Sequence, residues 1–84
     1  MEALSQDDKL ALLQHAITKY DLEDTLKEKL KDYLAPREVE RLIDTLIATQ
    51  KVRRIGSDTL QNNVSHIGEL PEPSESVARV LSAL

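Results

Sequence analysis

The feature that most constrains the fold is an amphipathic segment at residues 35–50. Its apolar residues recur at the spacing of one helix face. They are Val39, Leu42, Ile43, Leu46 and Ile47. Pro36 suits the first turn of such a helix, because an N–H at that position would have no intrahelical partner. We expect Leu42 and Leu46 to be deeply buried, which makes this helix the centre of the core.

Two shorter amphipathic segments precede this helix. The first covers residues 6–20, with Ser5 as its N-cap and acids in its first turn. The second covers residues 22–34 and has Asp21 as its predicted cap. The apolar positions of the second are Leu22, Leu26, Leu30, Tyr33 and Leu34. Ala35 precedes a proline and is pushed out of helical geometry, so a sharp turn should separate the second and third helices.

The pattern changes after residue 50. Residues 52–55 form a β-prone run, residues 56–58 read as a turn, and residues 59–64 return as a second strand. This spacing predicts a β-hairpin, with residues 64–67 as a further short extended piece. The only dense basic run of the chain, residues 51–54, lies in the first strand of this hairpin.

The C-terminal part has a composition of its own. Residues 68–74 contain two prolines and two acids and predict an extended linker after a domain at residues 1–67. Ser74 then caps a short helix at residues 75–84. Its apolar stripe consists of Val77, Val80, Leu81 and Leu84. So short a helix is marginal alone, so we expect the stripe to contact the groove between the first two helices, in the same chain or in a homodimer.

Composition and charge set the fold class and exclude several functions. Fourteen of the 84 residues are leucine, while cysteine, tryptophan and phenylalanine are absent, so we expect a mainly α fold without disulfides. No apolar run is long enough to span a membrane, and the acidic start argues against a signal peptide, which favours a cytoplasmic protein without membrane contacts. The net charge is −4, although residues 25–56 hold eight bases and five acids and are locally basic at +3.

Glycine, histidine and tyrosine form functional motifs in many proteins, but in this sequence they do not have the spacing of such motifs. Gly56 and Gly68 are the only glycines, so there is no phosphate-binding loop. His15 and His66 lie far apart and outside any metal-binding spacing. Tyr20 and Tyr33 lie on apolar stripes of their predicted helices, which argues against a stacking platform for single-stranded nucleic acid. We therefore expect a protein that is not an enzyme and needs no cofactor or metal.

The order of helix, helix, sharp turn, helix and hairpin resembles the winged-helix variant of the helix-turn-helix, over about residues 8–64. The helix pair at residues 22–34 and 36–50 and the candidate wing at residues 51–60 carry the resemblance. It implies a three-helix bundle whose third helix and wing contact DNA or a protein. The residues implied in this contact are Arg37, Arg41, Thr45, Thr49, Lys51, Arg53 and Arg54.

Three functional hypotheses follow. The first is a non-enzymatic regulatory or protein-interaction module of winged-helix type, with another protein as its partner. The second is a dimeric, sequence-specific DNA-binding transcriptional regulator that uses helix 36–50 and segment 51–54. The third is a small acidic inhibitor that covers a basic site on another protein with its acidic residues 1–24.

Overall fold

The computed structural model of the chain describes residues 4–63, 70 and 72–84. Within them the elements are α1 (Gln6–Lys19), α2 (Glu23–Leu30), α3 (Pro36–Ala48), β1 (Val52–Arg54), β2 (Leu60–Asn62) and α4 (Glu75–Ala83). The prediction of a mainly α fold with a short hairpin and a short C-terminal helix is confirmed. The extended piece expected at residues 64–67, which includes His66, and residues 68, 69 and 71 of the predicted linker lie outside the described residues.

Three helices begin where the sequence predicts. The Ser5 hydroxyl accepts a hydrogen bond from the Asp8 N–H over 3.1 Å and caps α1. The Ser74 hydroxyl accepts one from the Val77 N–H over 3.3 Å and caps α4. Pro36 occupies the first turn of α3 after an extended residue. Because a helix start leaves N–H groups without partners, these side chains fix where each helix can begin.

The predicted cap of α2 is wrong. Leu22, not Asp21, is the N-cap residue, and its side chain makes no capping hydrogen bond. The Asp21 carbonyl instead accepts a hydrogen bond from the Leu60 N–H over 2.8 Å, and Leu22 forms an antiparallel bridge with Thr59. Pairing with the hairpin therefore holds this segment in an extended conformation, and α2 starts one residue later, at Glu23.

The second helix is also shorter than predicted. It ends at Leu30, and residues 31–33 form a turn that still brings Leu34 into the core. Tyr33 is 37% exposed and Leu22 is 46% exposed, so their assignment to a buried stripe is wrong. A longer regular helix would have kept Tyr33 near the apolar face. The early turn places it outside the core.

One hydrophobic core joins every element. Its buried members are Leu12, Leu13, Ala16, Ile17, Leu26, Leu30, Leu34, Val39, Leu42, Ile43, Leu46, Val52, Leu60, Val77 and Val80. Leu42 is 2% exposed and Leu46 is fully buried, as predicted. The helix α3 supplies four of these members from one face, and α1 supplies four as well while contacting α3, β2 and α4, so the two helices together form the middle of the core.

The C-terminal helix docks on its own chain. Its principal helical neighbour is α1, and Val77 and Val80 belong to the common core. Leu81 and Leu84 are partly buried against that core. The Lys19 ammonium also donates to the Leu84 carbonyl over 3.1 Å, so a polar contact closes the far end of α4.

The hairpin has one buried face. Its antiparallel register pairs Val52 with Asn62, Arg53 with Gln61 and Arg54 with Leu60. Val52 and Leu60 are buried, whereas Ile55 is exposed, so Val52 and Ile55 point to opposite sides of the hairpin. The Asn62 side chain donates from Nδ2 to the Gln14 carbonyl over 2.8 Å. This bond ties the sheet to α1.

Candidate interaction surface

The exposed side of α3 forms one wall of an open groove beside the start of α1. The groove is lined by Gln6, Ala35, Arg37, Glu38, Arg41, Leu42 and Thr45. Arg37, Arg41 and Thr45 follow one another at four-residue intervals, which places them on one ridge of the helix. The structure thus brings together three of the residues implied by sequence. Thr49 lies one turn beyond the groove.

Two of the three acids of α3 are paired with lysines, whereas the third, Asp44, is exposed and forms no ion pair among the described residues. Glu38 accepts a hydrogen bond from the Lys9 ammonium over 2.7 Å. Glu40 accepts one from Lys27 over 2.8 Å, and this contact holds the pKa of the Glu40 carboxyl below its ordinary value. Arg37 and Arg41 form no ion pair within the described part of the chain. The groove is therefore more cationic than the composition of α3 suggests.

The threonines of the ridge are less available to a ligand as donors. The Thr45 hydroxyl donates to the Arg41 carbonyl over 3.0 Å, and the Thr49 hydroxyl donates to the Thr45 carbonyl over 2.9 Å. Such bonds to the preceding turn satisfy a hydroxyl within its own helix. The two arginines consequently carry most of the recognition chemistry that this side of α3 offers.

The basic segment 51–54 is largely occupied by contacts within the hairpin and with α2. Arg54 donates from Nη1 to Glu23 Oε1 over 3.0 Å and to the Ser57 carbonyl over 3.2 Å. Arg53 donates from Nη2 to Gln61 Oε1 over 2.7 Å, a neutral acceptor that leaves its charge uncompensated. Lys51 is exposed and has no ion pair among the described residues. Among the described residues, no acid therefore compensates the charge of Arg53 or Lys51.

The two groups of basic residues do not form one site. Arg37 lies in the first turn of α3, whereas Lys51 follows its C-terminal end. A helix of this length spans about 20 Å, since each residue adds about 1.5 Å. The groove arginines and the hairpin residues therefore belong to two separate surfaces.

Sequence reasoning missed a third feature, the exposure of two aliphatic side chains on the sheet. Ile55 is 56% exposed and Leu22 is 46% exposed. The odd spacing between Ile55 and the inward-facing Val52 was the available signal for Ile55. No such signal existed for Leu22, because its pairing with Thr59 depends on contacts distant in sequence.

The apolar side chains of the C-terminal segment that were predicted to contact a partner pack against the core of their own chain. Val77 is fully buried and Val80 nearly so, while Leu81 and Leu84 are partly covered. The first two cannot reach a partner while α4 is docked. Any contact with a second molecule through α4 would therefore fall on the remaining exposed part of Leu81 and Leu84.

Neither a cluster of potential metal ligands nor a helix able to span a membrane is found among the described residues. Residues 4–63, 70 and 72–84 contain no group of three or more His, Cys, Asp or Glu side chains placed to hold a metal ion. None of the helices in this part of the chain has the length and apolarity needed to cross a bilayer.

Comparison with protein-family models, with curated proteins and with solved structures finds no match.

Proposed function

We propose that this chain is a small, non-enzymatic, cytoplasmic regulatory module of winged-helix type that acts by binding another protein. Its binding surface is the groove between α3 and the start of α1, and its ligand is an acidic segment of the partner. The observation that carries this proposal is the pair Arg37 and Arg41, side by side in an open groove with Glu38 and Glu40 already paired to lysines.

The charge distribution favours a protein over DNA as the ligand. A winged-helix DNA reader uses the third helix and the wing together to reach phosphates. Here Arg54 is committed to Glu23, and the whole chain carries a net charge of −4, which opposes association with a polyanion. An acidic protein segment requires only the local charge of the groove. Asp7 and Asp8 lie in the first turn of α1, where their charges favour the helix start without any acidic-inhibitor role.

The connection between hairpin and helices supports the winged-helix part of the proposal. The hairpin is joined to the segment between α1 and α2 by the Leu22–Thr59 bridge and by the hydrogen bond from the Glu23 N–H to the Asp58 carbonyl, 2.8 Å long. A wing must be held rigidly against its helices to contribute to recognition. These backbone contacts supply that rigidity.

Charge reversal in the groove tests the proposal. The chain is used as bait in extracts of its native host, treated with nuclease, and compared with the double variant Arg37→Glu/Arg41→Glu. The matched control is Lys31→Glu/Arg79→Glu, which makes the same change in net charge at exposed positions outside the groove. We expect a protein that the wild type and the control retain and the groove variant loses. Equal retention by all three would contradict the proposal.

Direct titration with DNA tests the alternative hypothesis of a DNA-binding regulator. Phosphate-mediated binding falls steeply as salt is added, and Arg53→Ala/Arg54→Ala should flatten that dependence if the wing contacts phosphates. Arg41→Ala should instead alter sequence preference if Arg41 reaches a base edge. We expect weak, salt-sensitive binding at most. Tight binding with a sequence preference that Arg41→Ala changes would establish the DNA-binding hypothesis in its place.

A further inference from the structure

The outer face of the small sheet carries an exposed apolar row across three extended segments. The Ile55 N–H donates to the Thr59 carbonyl over 2.9 Å, and Thr59 is bridged on its other side to Leu22. Residues directly opposite in antiparallel pairs present their side chains on the same face. Ile55, Thr59 and Leu22 thus lie side by side, and both aliphatic members are about half exposed.

The same face becomes cationic along the strand. Side chains two residues apart share a face of a strand and lie about 7 Å apart, so Arg53 and Lys51 follow Ile55 in order. Arg53 lies beside Gln61, and the Lys51 carbonyl accepts a hydrogen bond from the Asn63 N–H over 2.9 Å, which extends the pairing to this end. The face therefore runs from an apolar end to a cationic end.

This exposure is specific to the outer face. On the inner side, Val52 and Leu60 are buried against the helices. Leu22 and Ile55 are two of the three large hydrophobic side chains that are exposed in the described part of the chain, and the third, Tyr33, follows α2. An apolar pair in one row, next to cations that form no ion pair with any described residue, is typical of a binding surface, whereas single exposed apolar residues are ordinary.

We propose that this face docks a segment of a partner protein that combines an apolar side chain with carboxylates. The apolar side chain covers Ile55 and Leu22, and the carboxylates meet Arg53 and Lys51. The inference rests on the proposed function in treating the chain as a protein-binding module, but it uses a surface separate from the α3 groove.

Charge complementarity selects this occupant over a second copy. If two copies stacked these faces with their strands in the same direction, Lys51 and Arg53 would oppose the same cations. In the opposite direction, the cations would cover the apolar row of Ile55 and Leu22 and lose water without gaining a partner. A segment that carries its own acids avoids both costs.

An anionic bilayer fits less well than a protein segment. Asp21 and Asp58 are exposed and flank Leu22 and Thr59 in sequence, at the apolar end of the face. Their charges oppose insertion of this end into a negatively charged lipid surface. A discrete protein segment can place its acids at the cationic end alone.

A peptide-selection experiment on the full chain tests the inference. A random peptide library displayed on phage is panned against the wild type, and enriched peptides are synthesised and titrated by fluorescence anisotropy. We expect enriched sequences that pair acids with an aliphatic or aromatic residue. Leu22→Ser/Ile55→Ser and Lys51→Gln/Arg53→Gln should each raise the Kd by about tenfold or more, the loss typical of central contacts. The control Tyr33→Ser removes the third exposed side chain and should leave the Kd unchanged.

Each other outcome has a defined meaning. If the peptides lose affinity only in Arg37→Glu/Arg41→Glu, the α3 groove binds them, so the proposed function stands and this inference is wrong. Selection of basic peptides, or of none that depend on the sheet face, also overturns it. Binding to phosphatidylserine vesicles that Leu22→Ser/Ile55→Ser abolishes would assign the face to lipid, and loss of a wild-type dimer in that variant would assign it to self-association. Thermal melts confirm that every variant is folded.

Discussion

Arg54 Nη1 lies 3.0 Å from Glu23 Oε1 and joins the hairpin to the first turn of α2. Glu23 also lies 3.3 Å from the ammonium of Lys27, which in turn contacts Glu40 of α3 over 2.8 Å. Four side chains therefore form a continuous series of ion pairs across the hairpin, α2 and α3. Networks of this kind hold elements in register more effectively than isolated surface pairs.

The coupling between Glu23 and Arg54 is measurable. In a double-mutant cycle with Glu23→Gln and Arg54→Gln, we expect a coupling free energy of about 0.5–1 kcal/mol, since both side chains are partly exposed and screened by water. The control cycle uses Glu75 and Arg79, an ion pair on the open side of α4 with both side chains highly exposed. Its coupling should be close to zero. Denaturant unfolding provides the free energies, and equal couplings in the two cycles would show that the series adds nothing.

Shortening the buried leucine side chains of α3 should remove much of the stability of the protein. Leu42→Ala and Leu46→Ala each remove a buried side chain and should lower the free energy of unfolding by about 2–5 kcal/mol. For a small domain that is a large fraction of the total. Ile55→Ala, at a half-exposed position, is the control and should be close to neutral by the same denaturant titration. If both leucine variants had the melting temperature of the wild type, the side chains of α3 would not be central to the core.

A glycine at position 50 should stabilise the protein. Gln50 has a φ of 63° directly after α3, and the Lys51 N–H returns to the Leu46 carbonyl over 2.9 Å, a helix end that favours glycine. Gln50→Gly removes the steric cost of the left-handed conformation, so we expect a gain of about 0.5–1 kcal/mol in thermal or denaturant unfolding. Thr49→Gly is the control, because Thr49 has a negative φ and should lose stability. A loss in both variants would contradict this account of the helix end.

Acid should weaken the contact between α2 and α3. The hydrogen bond from Lys27 holds the pKa of Glu40 below its ordinary value of 4.5. A depressed carboxyl pKa gives stability that is present above the unfolded-state pKa and is lost as the pH falls through the folded-state pKa. The melting temperature of Glu40→Gln should therefore change less than that of the wild type as the pH falls below about 4.5. Glu72→Gln, at an exposed position outside α4, is the control and should follow the wild type; an unchanged pH profile in Glu40→Gln would remove this contact from the explanation.

Removal of α4 should lower stability without changing the oligomeric state. A chain that ends at Glu72 exposes the core surface covered by Val77 and Val80, each of which contributes on the order of 1.5–3 kcal/mol when well buried. Light scattering should give the same number of subunits for both chains, and the shortened chain should melt at a lower temperature. A change from dimer to monomer would instead show that α4 also contacts a second copy.

Local rules predicted much of this fold. Ser5, Ser74 and Pro36 mark helix starts through contacts within four residues, and the apolar spacing of α3 identifies its buried face. The errors at Leu22 and Tyr33 have a different origin. Leu22 is extended because of its bridge to Thr59, 37 positions away (59 − 22), and Tyr33 is exposed because α2 stops early. The periodicity of one segment reveals neither the bridge to Thr59 nor the early end of α2.

The candidate surfaces were predictable to a similar extent. Helical spacing placed Arg37 and Arg41 on one ridge, which the groove contains. The pairing of Glu38 with Lys9 joins residues 29 positions apart, and that of Arg54 with Glu23 joins residues 31 apart. These pairings determine which charges remain uncompensated, and they depend on tertiary packing, which a count of charged residues does not reveal.

The backbone bond from the Leu60 N–H to the Asp21 carbonyl has a consequence for how the chain folds. It connects the second strand to the segment between α1 and α2, so the chain between the two bonded residues contains α2, α3 and β1. Closing so long a loop before its contacts form is entropically costly. The amide protons of Leu60 and Glu23 should therefore exchange with deuterium only when the helices also open, which would make the hairpin and the helices one cooperative unit.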